Sequence, residues 1–460
     1  MFCLFAFASE TAFLITLLNI GFMLFVIFIQ RRNTAATWAW ISAIALLPIG
    51  GFFLYMIFGQ DSRKQRVFLK KSMEDEALQE CYESMGNAIE GEITDDNRVM
   101  LFHDGVSKFD VLLADIENAK EFIFIQYYIL RGDTTGKLLI NKLTERARAG
   151  VEVYLLVDGM GCSFTSHKIY QPLIEAGGFL GRFMPPVPVR INFRNHRKIV
   201  VIDKHIAYLG GANIGDEYLG KKKRFGEWRD THMRLTGGSV SPLTLRFIMD
   251  WNCESTEKLI KLPLNICYFS PKSINSTLGA KVRILSSGPD TRYPNILHGF
   301  CCLIMEAKTS VYIQSPYFVP DDALFTALRI AALSGVDVRV MYPANPDHLL
   351  VYWAASSYVG ELMCAGVKGY EYTKGFLHAK TLMVDSKVCA VGTANMDVRS
   401  FKINFETHAF IENAPLTQEL EEAFRRDMNY CNILSLEKYK KRSVITKIKE
   451  SFSRLFSPLL

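Results

Sequence analysis

The chain has 460 residues, enough for two ordinary domains or one large duplicated one, and 49% of them are apolar, which excludes a disordered protein. Its 53 basic and 47 acidic residues leave a net charge of +6, an excess that suits a surface facing anionic lipid and is weak evidence for nucleic acid. Ten cysteines lie scattered with no Cys-x2-Cys pair, a pattern of reduced thiols packed as small apolar residues rather than of a disulfide framework or zinc site.

The first 60 residues predict two membrane-spanning helices. Thr11 to Ile29 is broken only by Asn19 and small threonines, and Ala35 to Phe58 contains no charge. Each is long enough to cross about 30 Å of hydrocarbon as a helix. A signal peptide is the alternative for the first, but no Lys or Arg precedes Arg31; a buried core helix is the alternative for the second. Pro48 with Gly50-Gly51 should kink the second helix, and Trp38, Trp40 and Tyr55 sit near its ends, where aromatic belts lie. The joining loop carries Arg31 and Arg32, whereas Arg63, Lys64, Arg66, Lys70 and Lys71 follow the second helix. The heavier side should be cytoplasmic, which puts the rest of the chain on the reducing side of a cell membrane and makes the protein multi-pass.

Residues 61–97 read as a charged cytoplasmic linker without a strand pattern. Beyond it the chain is duplicated. Phe122-Ile-Phe-Ile-Gln126 recurs as Ser310-Val-Tyr-Ile-Gln314, Val151 to Asp158 as Val336 to Tyr342, and Gly210-Gly-Ala-Asn213 as Gly392-Thr-Ala-Asn395. Asp230-Thr-His232 returns as Glu406-Thr-His408, and Pro242-Leu-Thr244 as Pro415-Leu-Thr417. The spacing drifts from 188 residues at Gln126/Gln314 to 176 at Asp230/Glu406 while the order is kept, which chance similarity would not do. Short β-branched runs alternate with helix-like stretches such as Thr134 to Ala149 and Asp321 to Leu333, so the fold class is α/β. The two repeats, 98–262 and 263–435, should pair about a pseudo-twofold axis. The final segment, 436–460, combines Lys438, Lys440, Lys441, Lys447 and Lys449 with Ile445, Ile448, Phe452 and Leu455 at helical spacing. Such a basic amphipathic helix can lie on an anionic membrane or dock on the protein itself.

The repeated motif that carries chemistry is His-x-Lys-x4-Asp, as His196/Lys198/Asp203 and His378/Lys380/Asp385. Residues two apart on a strand share a face, so imidazole and ammonium should point into one space, twice over. A phosphodiester is a poor, anionic electrophile, and without a metal it needs cations for its oxygens, a nucleophile and an acid. Lys198 and Lys380 fit the first need; one histidine can attack phosphorus while the other protonates the leaving oxygen and then deprotonates the incoming hydroxyl. Asn213 and Asn395 can donate to phosphate oxygens. Asp203 and Asp385 lie an odd number of residues from their histidines, on the opposite face if the strand continues, so a structural role stands beside a catalytic one. A nucleophilic histidine needs a carboxylate on its other nitrogen, and the repeat nominates Asp230 and Glu406. His232 and His408 sit in strand-like runs and read as core or supporting groups; no ligand spacing for a metal occurs.

Paired His-x-Lys-x4-Asp motifs, each followed by Gly-x-x-Asn, resemble the phospholipase D superfamily. Within it, Trp38-Ala-Trp40, Leu47-Pro-Ile-Gly50, Gln126-Tyr-Tyr-Ile129, Trp228-Arg-Asp-Thr-His232, Ser315-Pro-Tyr-Phe-Val-Pro320 and Gly392-Thr-Ala-Asn-Met-Asp-Val-Arg-Ser400 are similar to bacterial cardiolipin synthases. The resemblance covers nearly the whole chain. It implies tandem phospholipase D-like domains behind a two-helix transmembrane hairpin, the two motifs as catalytic residues, and transfer of a phosphatidyl group between two phosphatidylglycerol molecules to give cardiolipin and glycerol without metal or nucleotide cofactor. The expected partners are anionic phospholipid and membrane, not nucleic acid. Another phosphatidyltransferase or a phospholipase using water stays open, and behind them a membrane-tethered nuclease. The family's frequent serine after the motif glycine is Gly211 in one half and Thr393 in the other, so a hydroxyl contact to phosphate is expected on one side only.

Overall fold

The computed structural model describes residues 2–28, 34–58, 61–84, 89–183, 192–254, 259–260 and 279–457. They fall in a helical N-terminal unit, within residues 1–73, and a main unit running from Glu74 to Pro185 and from Phe193 onward.

Leucine, phenylalanine and alanine without charge favour helix, and the N-terminal unit is built from α1 (Phe2–Phe28), α2 (Thr34–Leu46) and α3 (Pro48–Phe58). The kink expected at Pro48 separates α2 from α3. Proline cannot donate to the preceding turn and pushes Leu47 away from helical geometry. The Leu47 N–H still donates to Ala43 O and Gly51 N–H to Leu47 O. A side chain on Gly51 would meet Ala43 O at 2.6 Å, so glycine is what lets the bent turn close. Val26, Ile44 and Tyr55 pack together with Phe22, Met23 and Trp40, while Phe13, Leu18, Phe28, Trp38, Leu46 and Phe53 are exposed. Among the described residues no helix is long and apolar enough to cross a membrane. Ile29 and the loop arginines Arg31 and Arg32 lie outside the described residues.

The segment 61–97, expected as a charged linker without a strand pattern, holds a helix and the start of a strand. It forms α4 (Asp61–Ser84) and the start of β1 (Ile93–Asp104). Leu78 packs on Leu245 and Met249, and Arg246 is held by Asp75 at 3.5 Å and Glu90 at 2.7 Å. The polar opening of β1, Thr94-Asp-Asp-Asn97, hides its strand character from the sequence.

In the first repeat α5 (Gly105–Glu117), β2 (Phe122–Tyr127), α6 (Thr134–Arg148), β3 (Glu152–Asp158), α7 (Gln171–Glu175), β4 (Phe179–Phe183), β5 (Ile199–Ile202), β6 (Ile206–Gly210), β7 (Glu227–Thr236) and α8 (Val240–Glu254) follow β1. The second runs β8 (Ala280–Ser287), α9 (Asn295–Glu306), β9 (Ser310–Gln314), β10 (Phe318–Val319), α10 (Asp322–Leu333), β11 (Asp337–Pro343), α11 (Leu349–Met363), β12 (Lys368–Tyr372), β13 (Gly375–Leu377), β14 (Thr381–Val384), β15 (Val388–Gly392), β16 (Met396–Asp397), α12 (Val398–Lys402), β17 (Glu406–Glu412) and α13 (Ala414–Met428). It closes with β18 (Cys431–Ile433), α14 (Leu436–Lys440) and α15 (Val444–Arg454).

One sheet carries both repeats. Its order is β18-β12-β11-β9-β14-β15-β17-β8-β1-β7-β6-β5-β2-β3-β4. Read outward from the antiparallel β1–β8 junction, equivalent strands occur in the same order on both sides, the expected pseudo-twofold. Asn97 seals that junction, buried, with Nδ2 donating to Ala280 O at 3.0 Å. The strands covered on both faces, such as β2 and β5, are continuous apolar runs. Each repeat has its own core: Leu112, Ile123, Leu139, Leu155 and Ile202 in the first, Phe300, Ile313, Leu328, Val340 and Leu382 in the second.

Candidate active site

Each motif histidine leans across the pseudo-twofold on a residue in, or just before, the other repeat's last long strand. His196 N–H donates to Phe405 O at 2.9 Å, and His378 N–H to Arg229 O at 2.7 Å. The motif pairs were expected on strands. They occupy extended segments just before β5 and β14 instead, with His196 and Lys198, and His378 and Lys380, still two residues apart. All four side chains are buried.

The residues that follow Phe405 and Arg229 are the carboxylates. Glu406 Oε1 lies 2.9 Å from His196 Nδ1, and Asp230 Oδ2 lies 2.6 Å from His378 Nδ1. Each imidazole is therefore oriented by a carboxylate from the opposite repeat. Further donors hold those carboxylates. Trp228 Nε1 donates to Asp230 at 3.3 Å, Asn404 Nδ2 to Glu406 at 3.1 Å, and Thr393 Oγ1 to Glu406 at 2.5 Å.

Burial disfavours the imidazolium and pushes His196 down to about 4 and His378 to about 3; Glu406 and Asp230 pull the other way, and the lysines add to the lowering. Burial alone would raise the two carboxyls. The facing histidines and lysines overcome it, holding Asp230 at about 2 and Glu406 below its ordinary value. The state this favours is a neutral imidazole that donates through Nδ1 to a carboxylate and leaves the Nε2 lone pair free. Lys198 and Lys380 each donate from Nζ to the carbonyl of their own histidine at 2.6 Å, and Lys380 Nζ lies 3.0 Å from His378 Nδ1. Burial lowers Lys198 to about 7 and Lys380 to about 8, partly offset by the site's carboxylates.

Asp203 and Asp385 lie outside this constellation, which corrects their placement among the catalytic residues. β5 ends at Ile202, and Asp203 and Lys204 have φ of 49° and 61°; Asp385 and Ser386 repeat this at 53° and 52°. These are tight hairpin turns, and an aspartate tolerates the left-handed region better than most residues. The Asp203 carboxylate accepts from the backbone N–H groups of Lys120, Glu121 and Phe122 at 2.6–2.9 Å. Asp385 does the same for Lys308, Thr309 and Ser310 at 2.7–2.9 Å. Each pins the turn to the start of the neighbouring strand.

Asn213 and Asn395 are buried. Asn213 Oδ1 accepts from Ile129 N–H at 3.1 Å and its Nδ2 faces Tyr218 OH at 3.3 Å. The Thr393 hydroxyl goes to Glu406, and at the equivalent place a Cβ on Gly211 would lie 2.1 Å from Asp230 Oδ1. The difference between the halves is thus spent on seating the carboxylates. His232 and His408 are buried with both ring nitrogens unpaired among the described residues, as core groups beside Tyr208 and Phe300.

Two sets of supporting residues escape a reading of the motif alone. Tyr128 packs edge-on against His196 with ring centroids 4.9 Å apart, and Trp228 lies 5.2 Å from His378. Behind the site, Asp250 takes two 2.7 Å bonds from Arg197 and others from Gln126 and Asn195. Its twin Asp427 takes Arg229 at 2.9 Å and Gln314 at 2.8 Å. The repeated Phe-x-x-Asp of Phe247/Asp250 and Phe424/Asp427 was the available signal.

The sequence matches the family described as "Cardiolipin synthase, PLD-like domain" over residues 112–223 and 300–428, and residues 17–60 match "Phospholipase_D-nuclease N-terminal". A cardiolipin synthase of Listeria monocytogenes serotype 4a (strain HCC23) is 42% identical, over 97% of this chain and 98% of the relative. One of Clostridium perfringens (strain SM101 / Type A) is 43% identical, over 94% and 96%. Among solved structures, phosphatidylserine synthase of Haemophilus influenzae Rd KW20 matches with TM-score 0.59 at 14% identity, covering 81% of this chain and 97% of that one. Polyphosphate kinase of Porphyromonas gingivalis matches with TM-score 0.51 at 13% identity, over 74% and 49%. Those two likenesses speak to the fold. The sequence relatives speak to descent, and the chain belongs to the cardiolipin synthase family of phospholipase D-like proteins.

Proposed function

We propose that this protein is a phosphatidyltransferase that makes cardiolipin and glycerol from two molecules of phosphatidylglycerol through a phosphohistidine. The observation that carries the reading is the pair of imidazoles, each fixed at Nδ1 by a carboxylate of the other repeat, with Lys198 and Lys380 beside them. The lysines receive the anionic oxygens of the diester, and Asn213 and Asn395 add amide donors. Nε2 of one neutral histidine attacks phosphorus, and the bond from phosphorus to the glycerol oxygen breaks as the second histidine, which enters this step as the imidazolium with a proton on Nε2, delivers that proton to it. That second histidine then takes the proton of the incoming lipid's hydroxyl, whose oxygen attacks phosphorus and releases the first histidine unchanged. The carboxylates steady each imidazole as it becomes positive.

Residues 11–58 serve in this reading as a two-helix membrane anchor with the main unit in the cytoplasm. The match over 17–60 and the exposed apolar residues of α1 to α3 support it. An anchor holds the site among lipid head groups and raises their effective concentration.

Detergent-solubilised protein given labelled phosphatidylglycerol in the presence of chelator tests the reading. Cardiolipin with equimolar glycerol is the expected result. Phosphatidic acid would make water the acceptor and the enzyme a phospholipase, and no lipid product would remove phospholipid as the substrate.

A further inference from the structure

The C-terminal helix is docked the wrong way round for a soluble protein. At about 100° per residue, Thr446, Glu450, Ser453 and Ser457 fall on one side of α15 and its continuation, and Val444, Ile445, Ile448, Phe452 and Leu455 on the other. The polar side is the buried one: Glu450, Ser453 and Ser457 are all under one-tenth exposed. Arg442 holds Glu450 at 2.6 Å, Tyr358 OH meets Ser457 Oγ at 3.2 Å, and Arg454 bonds Glu361 at 2.7 Å. The apolar side faces out, with Ile445 67%, Ile448 61% and Leu455 75% exposed. Burial in the protein's own core therefore does not account for the stripe.

We propose that this outward stripe is a lipid-binding surface by which the main unit rests on an anionic phospholipid membrane. Charge selects that occupant. On the helical wheel Lys447 and Lys449 flank the stripe on its two edges, where long cationic side chains reach phosphate groups while their stems lie along acyl chains. Lys438, Lys440 and Lys447 have no acidic partner among the described residues. The position is apt as well. Lys449 lies over Trp353 and Arg454 over Tyr358, so α15 runs in the same direction as α11. The first turn of α11, with exposed Leu349 and Leu350, follows Asp347, whose charge acts on Lys380. In the other repeat the loop after β3, the twin of the loop before α11, carries Phe164 at 94% exposure. The surface rests on the phospholipid reading only for the choice of lipid.

Full-length protein carrying Ile448→p-benzoylphenylalanine or Phe452→p-benzoylphenylalanine, reconstituted into vesicles of phosphatidylcholine with or without radiolabelled phosphatidylglycerol, reads the contact without requiring turnover. Both positions are exposed, so the fold should survive. Labelled lipid adducts at both, severalfold above those from the same probe at exposed Asp110, are expected in the anionic vesicles. A cross-link to a second copy of the chain would make the stripe a subunit interface and overturn the proposal, as would adducts no stronger than at Asp110. Ile445→Glu with Ile448→Glu should also raise KM for vesicle phosphatidylglycerol severalfold; an unchanged KM would count against it.

Discussion

Glu406 of the second repeat lies 2.9 Å from His196 of the first, and Asp230 of the first lies 2.6 Å from His378 of the second. Neither repeat holds both a motif histidine and the carboxylate that orients it. In the proposed chemistry duplication is a condition, because each histidine takes both its backbone anchor and its carboxylate from across the pseudo-twofold.

His196→Ala and His378→Ala should each lower phosphatidyl transfer by on the order of 10³-fold or more, with the double variant little worse than either single one. The steady-state rate, alongside an unchanged melting curve, checks this. Retention of even a tenth of the rate in either variant would defeat the two-histidine scheme.

Asp230→Asn and Glu406→Gln keep shape but offer the imidazole an amide in place of a carboxylate. The expected loss is on the order of 10²- to 10⁴-fold in kcat with little change in KM, since tautomer and imidazolium stabilisation are lost while lipid contacts remain. A change confined to KM would instead place these residues in substrate binding.

Asp203→Ala and Asp385→Ala should act on stability. Each leaves three backbone N–H groups without their carboxylate and a non-glycine turn at positive φ, a cost of about 2 kcal/mol at partly exposed sites. Denaturant midpoints should fall, while folded protein keeps a rate within a few-fold of the parent.

The pH profile follows from the two lysines and the two histidines. Their proton affinity is lowered to about 7 and about 8, so each is charged below that pH and loses its charge as pH rises through it. The histidines, lowered to about 4 and 3, stay neutral above roughly pH 5. One histidine must be neutral to attack and the other protonated to act as acid, so kcat/KM should decline as pH rises above about 4 and decline more steeply above about 8, where the lysines have lost their charge. Lys198→Arg, charged throughout this range, should carry the alkaline limb upward at reduced kcat; a limb that stays put would assign it to another group.

Most of the site was legible because duplication marks it twice: His196 with His378, Lys198 with Lys380 and Asp230 with Glu406 stand out as equivalent residues in equivalent order. The crossing of the carboxylates was not legible, since order along a chain says nothing about which repeat a side chain faces. Asp203 misled because motif membership reads as chemistry; its odd spacing pointed correctly away from the histidine, and its turn geometry gives the reason. The stretch from Asp61 hid its strand because β1 opens on polar residues, and hid its packing because Asp75 and Glu90 pair with Arg246, a partner far along the sequence.

The stereochemical course at phosphorus tests the central claim most directly. With phosphatidylglycerol made chiral at phosphorus by sulfur substitution and a single turnover to cardiolipin, attack by a histidine followed by attack of the acceptor inverts phosphorus twice. Net retention of configuration is the predicted result, and net inversion would mean that the acceptor displaces glycerol directly and that no phosphohistidine forms.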